Sequence, residues 1–393
     1  MAEVAAHLTD HVLPHLPIRQ WVLSLPKRLR PFLHGSPEVA STVLGVFLRA
    51  LRSTLRRACP TAPRGSEIAA ISFPQRFGSS LNPHYHFHLL AVDGVLSEAE
   101  SHGSGGVRFH EATELGSEHG EPLARLVQYR ILRALRRRGL LAEDTASDML
   151  TWQGTGGFSV DGSVRIEADD RTGVERLVRY CARGPLALER LHAPEGSASL
   201  ASPDTRLVYL LPAPGPNGRT EIRLTPLELL DRLARLIPPP RIHRHRYHGL
   251  LGPNARLRSA VVALGRPVVE NDAPGPPHRT EGRAGGAGVE PRPSPASRIP
   301  WARLLARIYE VLPLLCPACG GEMRVLSFLT DPAVVQAILL HFDLPHRPPP
   351  VTPARAPPQS AFSFDQSLAF DLTDPDPIPE IDFDQSLPDF EVP

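Results

Sequence analysis

A strand rich in histidine constrains the fold of this chain more than any other stretch. The apolar residues 87–92 end at Asp93-Gly94, a pattern that predicts a buried strand followed by a turn. Side chains alternate between faces along a strand, so we expect His84, His86 and His88 to project from one face. Two imidazoles this close on a buried face can bind one divalent cation. The alternative is a pair of hydrogen-bonded core histidines.

A tyrosine near the end of a predicted helix is a candidate nucleophile. The helix is expected at residues 173–183, because Gly184-Pro185 must terminate it. Arg176 lies four residues before Tyr180 and Arg183 three residues after it, which predicts that all three share one helix face. Flanking cations would favour the phenolate and bind the phosphate it attacks. The alternative is an ordinary core or surface tyrosine.

Several short motifs, in a fixed order, resemble those of the IS91-like transposases. These are tyrosine transposases of the HUH class, which is named for a His-hydrophobic-His triplet like His86-Phe87-His88. The matching motifs occupy residues 19–26, 75–79, 82–94, 157–160, 179–183, 224–230, 246–249 and 316–321.

This resemblance implies an α+β fold with an HUH-endonuclease-like central antiparallel sheet flanked by helices. It implies that His86 and His88 bind Mg²⁺ or Mn²⁺. Gln75, on the neighbouring predicted strand, is the first candidate for a third ligand, and Asp93 is the second.

The resemblance also implies that Tyr180 carries the reaction. Some family members have a second tyrosine four positions earlier, where this chain has Arg176, so we expect a single-tyrosine form. The implied function is nicking and joining of single DNA strands through a 5′-phosphotyrosyl intermediate, during rolling-circle-like transposition of an insertion sequence. The substrate would be single-stranded or hairpinned DNA. Two alternatives are an inactive, truncated remnant that only binds DNA and a metal-dependent phosphoesterase without a covalent step.

Two further groups of basic residues are candidates for DNA contact. Residues 238–258 combine arginine, histidine and tyrosine, which suits contact with the backbone and stacking on an unpaired base, although a structural turn is equally open. The proposed DNA-binding residues are Arg76, Arg244, Arg246, Tyr247 and His248.

A helix predicted at residues 37–57 has a basic outer side, formed by Arg49, Arg52, Arg56 and Arg57. A solvated helix face is the favoured interpretation, and phosphate contact is the alternative.

Charge is distributed unevenly along the 393 residues. The net charge is +1, yet residues 361–393 contain nine acidic residues and no lysine or arginine. The rest of the chain is therefore strongly basic, which suits a polyanionic partner. Richness in arginine can equally reflect genome base composition.

Cysteine use and hydropathy predict a cytoplasmic protein, and the resemblance implies that it is bacterial and associated with the nucleoid when bound to DNA. The four cysteines are too few for a disulfide scaffold, and neither a signal peptide nor a membrane-spanning apolar run is evident. Cys316 and Cys319 form half of a candidate Zn²⁺ site, with His341 as the nearest further ligand.

We predict five segments along the chain. Residues 1–18 are expected to be a remnant helix after a missing zinc-binding module, and residues 19–260 the catalytic domain. A disordered Pro/Gly-rich linker is expected at 261–300, a small helical module with the cysteine pair at 301–347, and a disordered, proline-rich acidic tail at 348–393.

Overall fold

The fold is described from a computed structural model. The described residues are 2–99, 106–113, 115, 119–152, 155–193, 205–214, 218–238, 242–266, 305–307, 314–316, 319–321, 323 and 329–344. They divide into two compact units: the described parts of residues 1–186 and 231–361 form the larger, and those of residues 187–230 the smaller. The expected tail at 348–393 and the linker beyond residue 266 lie outside the described residues.

The larger unit is built on an antiparallel sheet. The strands, in chain order, are β1 (Ile18–Ser24), β2 (Ala69–Phe77), β3 (Pro83–Val92), β4 (Gly94–Glu98), β5 (Val107–Glu111), β6 (Ser159–Asp161), β7 (Arg165–Ile166), β8 (Leu191–His192), β9 (Leu207–Leu210), β10 (Glu221–Leu224) and β11 (Arg246–Gly249). The central sheet has the order β11-β2-β3-β1-β6, and β7 also pairs with β1. Strands β4 and β5 form a separate hairpin, and β10-β9-β8 form the sheet of the smaller unit.

Helices pack on both faces of the central sheet, α3 and α4 on one face and α6 on the other. The described helices are α1 (Ala2–His11), α2 (Arg30–Gly35), α3 (Pro37–Arg57), α4 (Gly120–Arg137), α5 (Glu143–Thr151), α6 (Arg171–Cys181), α7 (Pro226–Leu236), α8 (Arg258–Ala263) and α9 (Pro332–His341), with 3-10 turns at Lys27–Leu29 and Leu188–Arg190. Helix α3 begins where the Ser36 side chain accepts a hydrogen bond from the Val39 amide, which is an ordinary N-cap. None of the described helices is long and apolar enough to cross a membrane.

The alternation of side chains along β3 decides what each face of the sheet does. Tyr85, Phe87 and Leu89 pack into the main hydrophobic core together with the apolar sides of α3 and α4. The histidines at the intervening positions project from the opposite face, where Tyr180 of α6 contacts His88. One strand therefore contributes both to the core and to a polar cluster.

Helix α6 is held in place by α1. Arg171, the first residue of α6, donates hydrogen bonds to the carbonyls of Thr9, Leu13 (3.2 Å) and Pro14 (3.0 Å) at the end of α1. A guanidinium at a helix C-terminus satisfies carbonyls that have no partner inside the helix. The helix that carries Tyr180 is thereby fixed at its N-terminal end.

The α+β prediction is confirmed, and most of the predicted elements are present. The helix predicted at residues 37–57 has these bounds. The helix predicted at 173–183 runs instead from Arg171 to Cys181, so Arg183 lies beyond its end. Residues 246–249 were expected to be a functional patch or a turn, and they form the edge strand β11.

Candidate active site

The three histidines of β3 lie side by side on one face of the sheet. The Nε2 atoms of His86 and His88 are 3.1 Å apart, and their ring centroids are 4.9 Å apart. The His84 ring stands edge-on to His86 at 5.1 Å. His88 is buried, at 2% exposure.

Burial keeps these imidazoles neutral at ordinary pH. It lowers the pKa of His86 to about 4 and the pKa of His84 to about 2. The pKa of His88 is also well below its ordinary value, chiefly through burial and next through His86. Only a neutral imidazole has a lone pair for a cation, so the environment selects the form that can act as a ligand.

The outer nitrogens of the two rings are held by neighbours. His86 Nδ1 lies 3.1 Å from the His84 carbonyl oxygen, to which it can only donate. His86 Nε2 therefore carries the lone pair, directed at His88. His88 Nδ1 lies 2.8 Å from the side-chain amide of Gln20, which is itself buried at 1% exposure. That amide also lies 3.4 Å from the Cys181 sulfur.

Gln75 occupies the position opposite His86 in the β2–β3 ladder. Its Nε2 donates a 2.8 Å hydrogen bond to the Cys181 carbonyl, so it ties β2 to the end of α6. Its Oε1 is buried and has no hydrogen-bond partner among the described residues. This amide oxygen, beside two imidazoles, can donate an electron pair to a cation. Its burial without a partner costs free energy.

These atoms fit a divalent cation. Two ligands at right angles around an ion about 2.1 Å away are about 3.0 Å apart, close to the separation of the two Nε2 atoms. Two imidazole nitrogens with an amide oxygen make a mixed donor set, which suits Mn²⁺ better than the all-oxygen preference of Mg²⁺.

Tyr180 lies directly beside the histidine pair. Its ring meets His88 edge-to-face, with centroids 5.5 Å apart and an interplanar angle of 85°. The Arg183 guanidinium lies over the Tyr180 ring, 4.4 Å from the ring centroid. The structure thus brings together three elements of the predicted site: the consecutive strands β2 and β3, and the end of α6, which follows about a hundred residues later.

The electrostatic expectation for Tyr180 needs correction. Burial raises the pKa of Tyr180, and Arg183 lowers it by less. The phenolate is therefore disfavoured as long as the ring is buried, at 8% exposure. Arg176 is exposed on α6 whereas Tyr180 is buried, so the two arginines do not flank the ring symmetrically on one helix face.

Asp93 has a different role from the one expected. Both of its carboxylate oxygens bind arginine: Arg19 at 2.7 and 2.8 Å, and Arg165 at 2.7 Å. It follows the last residue of β3, about 23 Å along the strand from His86 at 3.3 Å per residue. Asp93 therefore joins β1, β3 and β7 and lies too far from His86 to be the third ligand.

Three of the predicted DNA-binding residues lie in β11, where successive side chains point to opposite faces of the sheet. Arg246 donates to the Ser41 hydroxyl of α3 (2.9 Å), and His248 Nε2 lies 2.8 Å from the Ser72 hydroxyl. Tyr247 projects to the histidine face, where Arg258 lies over its ring at 4.8 Å.

The two remaining members of that set lie elsewhere. Arg244 is exposed in the bend before β11. Arg76 donates to the His34 carbonyl at 2.9 Å and lies 5.6 Å from the centre of the Tyr85 ring.

Cys316 and Cys319 lie in a tight turn. The Gly320 amide donates to the Cys316 carbonyl (2.8 Å), and the Cys316 amide donates to the Gly321 carbonyl (2.9 Å). Gly320 has a φ of +70°, which favours glycine. Neither of these two described cysteines forms a disulfide.

Sequence analysis missed Gln20, which contacts His88, and Cys181, which contacts Gln20 and Gln75. A signal was present for Gln20: it is the polar residue at the start of an otherwise apolar predicted strand. No local pattern singled out Cys181, since a cysteine near a helix end is an ordinary core residue.

One family model matches part of this chain. Residues 69–258 match the model of the Y2-type family described as "Putative transposase". The match agrees with the transposase family that the motifs resemble, and it includes β2, β3, α6 and β11. No curated protein and no solved structure matches the chain.

Proposed function

We propose that this protein is a DNA-nicking and joining transposase of the HUH type, with Tyr180 as its single nucleophile. The observation that carries the proposal is the packing of the Tyr180 ring on His88, whose Nε2 lies 3.1 Å from His86 Nε2. A neutral, rigid imidazole pair beside a tyrosine is the arrangement that metal-assisted attack on a phosphodiester requires. Rolling-circle-like transposition of an IS91-like element is the process this chemistry would serve.

His86 and His88 would hold the divalent cation, with Gln75 Oε1 as the third protein donor. The bound ion would supply a Lewis acid that polarises the scissile phosphate. The role of the chain is to keep both Nε2 atoms on one side of β3 and to keep Gln75 opposite His86.

In the reaction, the Tyr180 oxygen bonds to phosphorus and the bond from phosphorus to the 3′ oxygen breaks. The phenol proton leaves, and the departing 3′ oxygen gains a proton. The products are a 5′-phosphotyrosyl protein and a free 3′-hydroxyl, so no ATP is needed for rejoining. Arg183, over the Tyr180 ring, is placed to bind the phosphate oxygens with its planar guanidinium.

The burial of Tyr180 supports a single-stranded or hairpinned substrate. A duplex would hold the scissile phosphate outside a site this enclosed, whereas an unpaired strand can enter. As the strand binds, the Arg183 guanidinium would offset the repulsion between the phosphate and the phenolate charge.

The test is adduct formation with labelled single-stranded element ends and Mn²⁺, resolved on a denaturing gel. We expect a slow, protease-sensitive band that Tyr180→Phe and His86→Ala both abolish. Tyr129→Phe is the matched control, because Tyr129 is half exposed on α4, far in sequence from the site.

Other outcomes would identify the alternatives. DNA retention with no adduct in the unmodified chain would indicate a remnant that only binds DNA. Cleavage that survives Tyr180→Phe, with no adduct, would indicate a phosphoesterase without a covalent step.

A further inference from the structure

A groove lined by arginines lies on the outer surface of α3 and α4. It encloses about 470 Å³ and is lined by Arg49, Arg52, Ser53, Arg56, Arg57 and Arg130. We refer to these six residues as the arginine groove. Among them none is acidic and none is aromatic.

Two arginines of the arginine groove are fixed by hydrogen bonds, and two others are exposed. Arg52 is held by Glu67 at 2.8 Å, and Arg56 donates to the Ser66 carbonyl at 2.6 Å. Arg49 and Arg57 are exposed on the same side of α3. Five guanidinium groups that share one groove repel each other, and a polyanion would relieve that repulsion.

The arginine groove is on the opposite side of the sheet from Tyr180. Helices α3 and α4 pack on the face of β3 formed by Tyr85, Phe87 and Leu89, whereas the histidines project from the other face. A DNA strand bound at the histidine pair lies on the opposite face of the sheet from the groove. The DNA bound in the groove must therefore be a different segment. The groove is a separate contact surface.

We infer that the arginine groove binds the phosphate backbone of duplex DNA at a distance from the cleaved strand. The match to the transposase family indicates that the polyanion is DNA. The location of this contact and the duplex form of the DNA go beyond the proposed reaction. Single-strand sites combine positive charge with aromatic side chains on which bases stack, and this groove has no aromatic lining. Guanidinium groups instead suit phosphate oxygens, which carry no sequence information.

The length of the groove agrees with a backbone contact. Arg49 and Arg57 are eight residues apart on α3, which corresponds to about 12 Å at 1.5 Å per residue. At 3.4 Å per step along the duplex axis, that length covers about three phosphates of one strand. Arg49 and Arg57 can therefore contact separate phosphates while Arg52 and Arg56 stay on their partners.

The test is duplex binding by fluorescence anisotropy at several salt concentrations, with the full chain and a short duplex of arbitrary sequence. The groove variant combines Arg49→Gln, Arg57→Gln and Arg130→Gln, which leaves Arg52 and Arg56 on their structural partners. Three lost phosphate contacts should reduce the slope of log K against log salt by about 2.7. The unmodified chain should then lose about 40-fold more affinity than this variant between 50 and 200 mM salt.

A matched control removes the same charge elsewhere. It replaces three exposed arginines that are each already paired with a glutamate, namely Arg125→Gln, Arg136→Gln and Arg256→Gln. We expect its slope to stay close to that of the unmodified chain. An equal fall in both triple variants, or no fall in the groove variant, would overturn the inference.

A second variant, Ser53→Glu, keeps every arginine and places a carboxylate in the groove, so weaker duplex binding is expected from it as well. Thermal unfolding of each variant, followed by circular dichroism, shows whether its fold is kept. The assay measures binding and needs no cleavage, so its result is independent of whether Tyr180 reacts.

Discussion

At the scale of single residues, Gln20 decides which nitrogen of His88 carries the proton. As placed, the Gln20 amide nitrogen faces His88 Nδ1, while Oε1 is buried with no partner among the described residues. With this amide orientation, His88 Nε2–H would donate a hydrogen bond to the His86 Nε2 lone pair. Neither Nε2 atom would then have a lone pair for a metal. Rotation of the amide by 180° would let Oε1 accept from His88 Nδ1–H and free the Nε2 lone pair for a cation.

Replacement of Gln20 should therefore change metal affinity. Gln20→Leu removes the acceptor for His88 Nδ1–H, and we expect Mn²⁺ to bind about 10- to 100-fold more weakly. Gln20→Glu retains an acceptor at that position, so it should bind Mn²⁺ at least as tightly as the unmodified chain. The measurement is free Mn²⁺ by electron paramagnetic resonance; equal affinity for both variants would remove Gln20 from the site.

At the scale of secondary structure, β11 completes the central sheet. It pairs with β2 from Arg246 opposite Ser72 to Gly249 opposite Ala69. The chain then turns sharply at Gly249, which has a φ of +59°. The next amide, of Leu250, donates to the Ile68 carbonyl at 2.9 Å, so the turn closes against β2.

Gly249 is required by this close approach. A Cβ at that position would lie 1.8 Å from the Ile68 carbonyl oxygen. Gly249→Ala should therefore lower the free energy of unfolding by about 2–4 kcal/mol, from backbone strain and displacement of the edge strand. Urea denaturation measures this loss.

The control is Gly65→Ala, because a Cβ at Gly65 would meet nothing within 4 Å. We expect its effect to stay within about 0.5 kcal/mol. Similar losses for both variants would mean that the turn at Gly249 tolerates a side chain.

At the scale of the whole molecule, neutral histidines are buried at several places in the larger unit. Burial lowers the pKa of His34 to about 4, with Arg76 and Arg30 adding to the effect, and lowers the pKa of His248 to about 4. His34 packs edge-on against Tyr85, and His248 contacts Ser72, so they lie on separate elements. In the unfolded chain both would titrate near 6.5.

We therefore predict that the chain loses stability in mild acid. Above about pH 6.5 both histidines are neutral in both states, and between pH 6.5 and about 4 only the unfolded chain takes up their protons. The contribution of these histidines to stability is thus fully present above pH 6.5 and is lost as the pH falls towards 4. His34→Phe should reduce the pH dependence of the urea midpoint between pH 6.5 and 4, and an unchanged dependence would contradict this assignment.

The sequence by itself determined the features that depend on local periodicity. Alternation along residues 84–92 placed His84, His86 and His88 on one face, and the spacing of apolar residues located α3. The family motifs placed Gln75 on the strand next to β3, and the ladder puts it opposite His86. These inferences succeeded because pleat and helical turn act within a few residues.

Only the tertiary structure decided the contacts between distant segments. Gln20 meets His88 across 68 residues, Gln75 meets Cys181 across 106, and His248 meets Ser72 across 176. Burial, which raises the pKa of Tyr180 against the effect of Arg183, is likewise a sum over many elements. Strand register, amide hydrogen bonds and desolvation arise only when the whole chain is packed, so no local pattern encodes them.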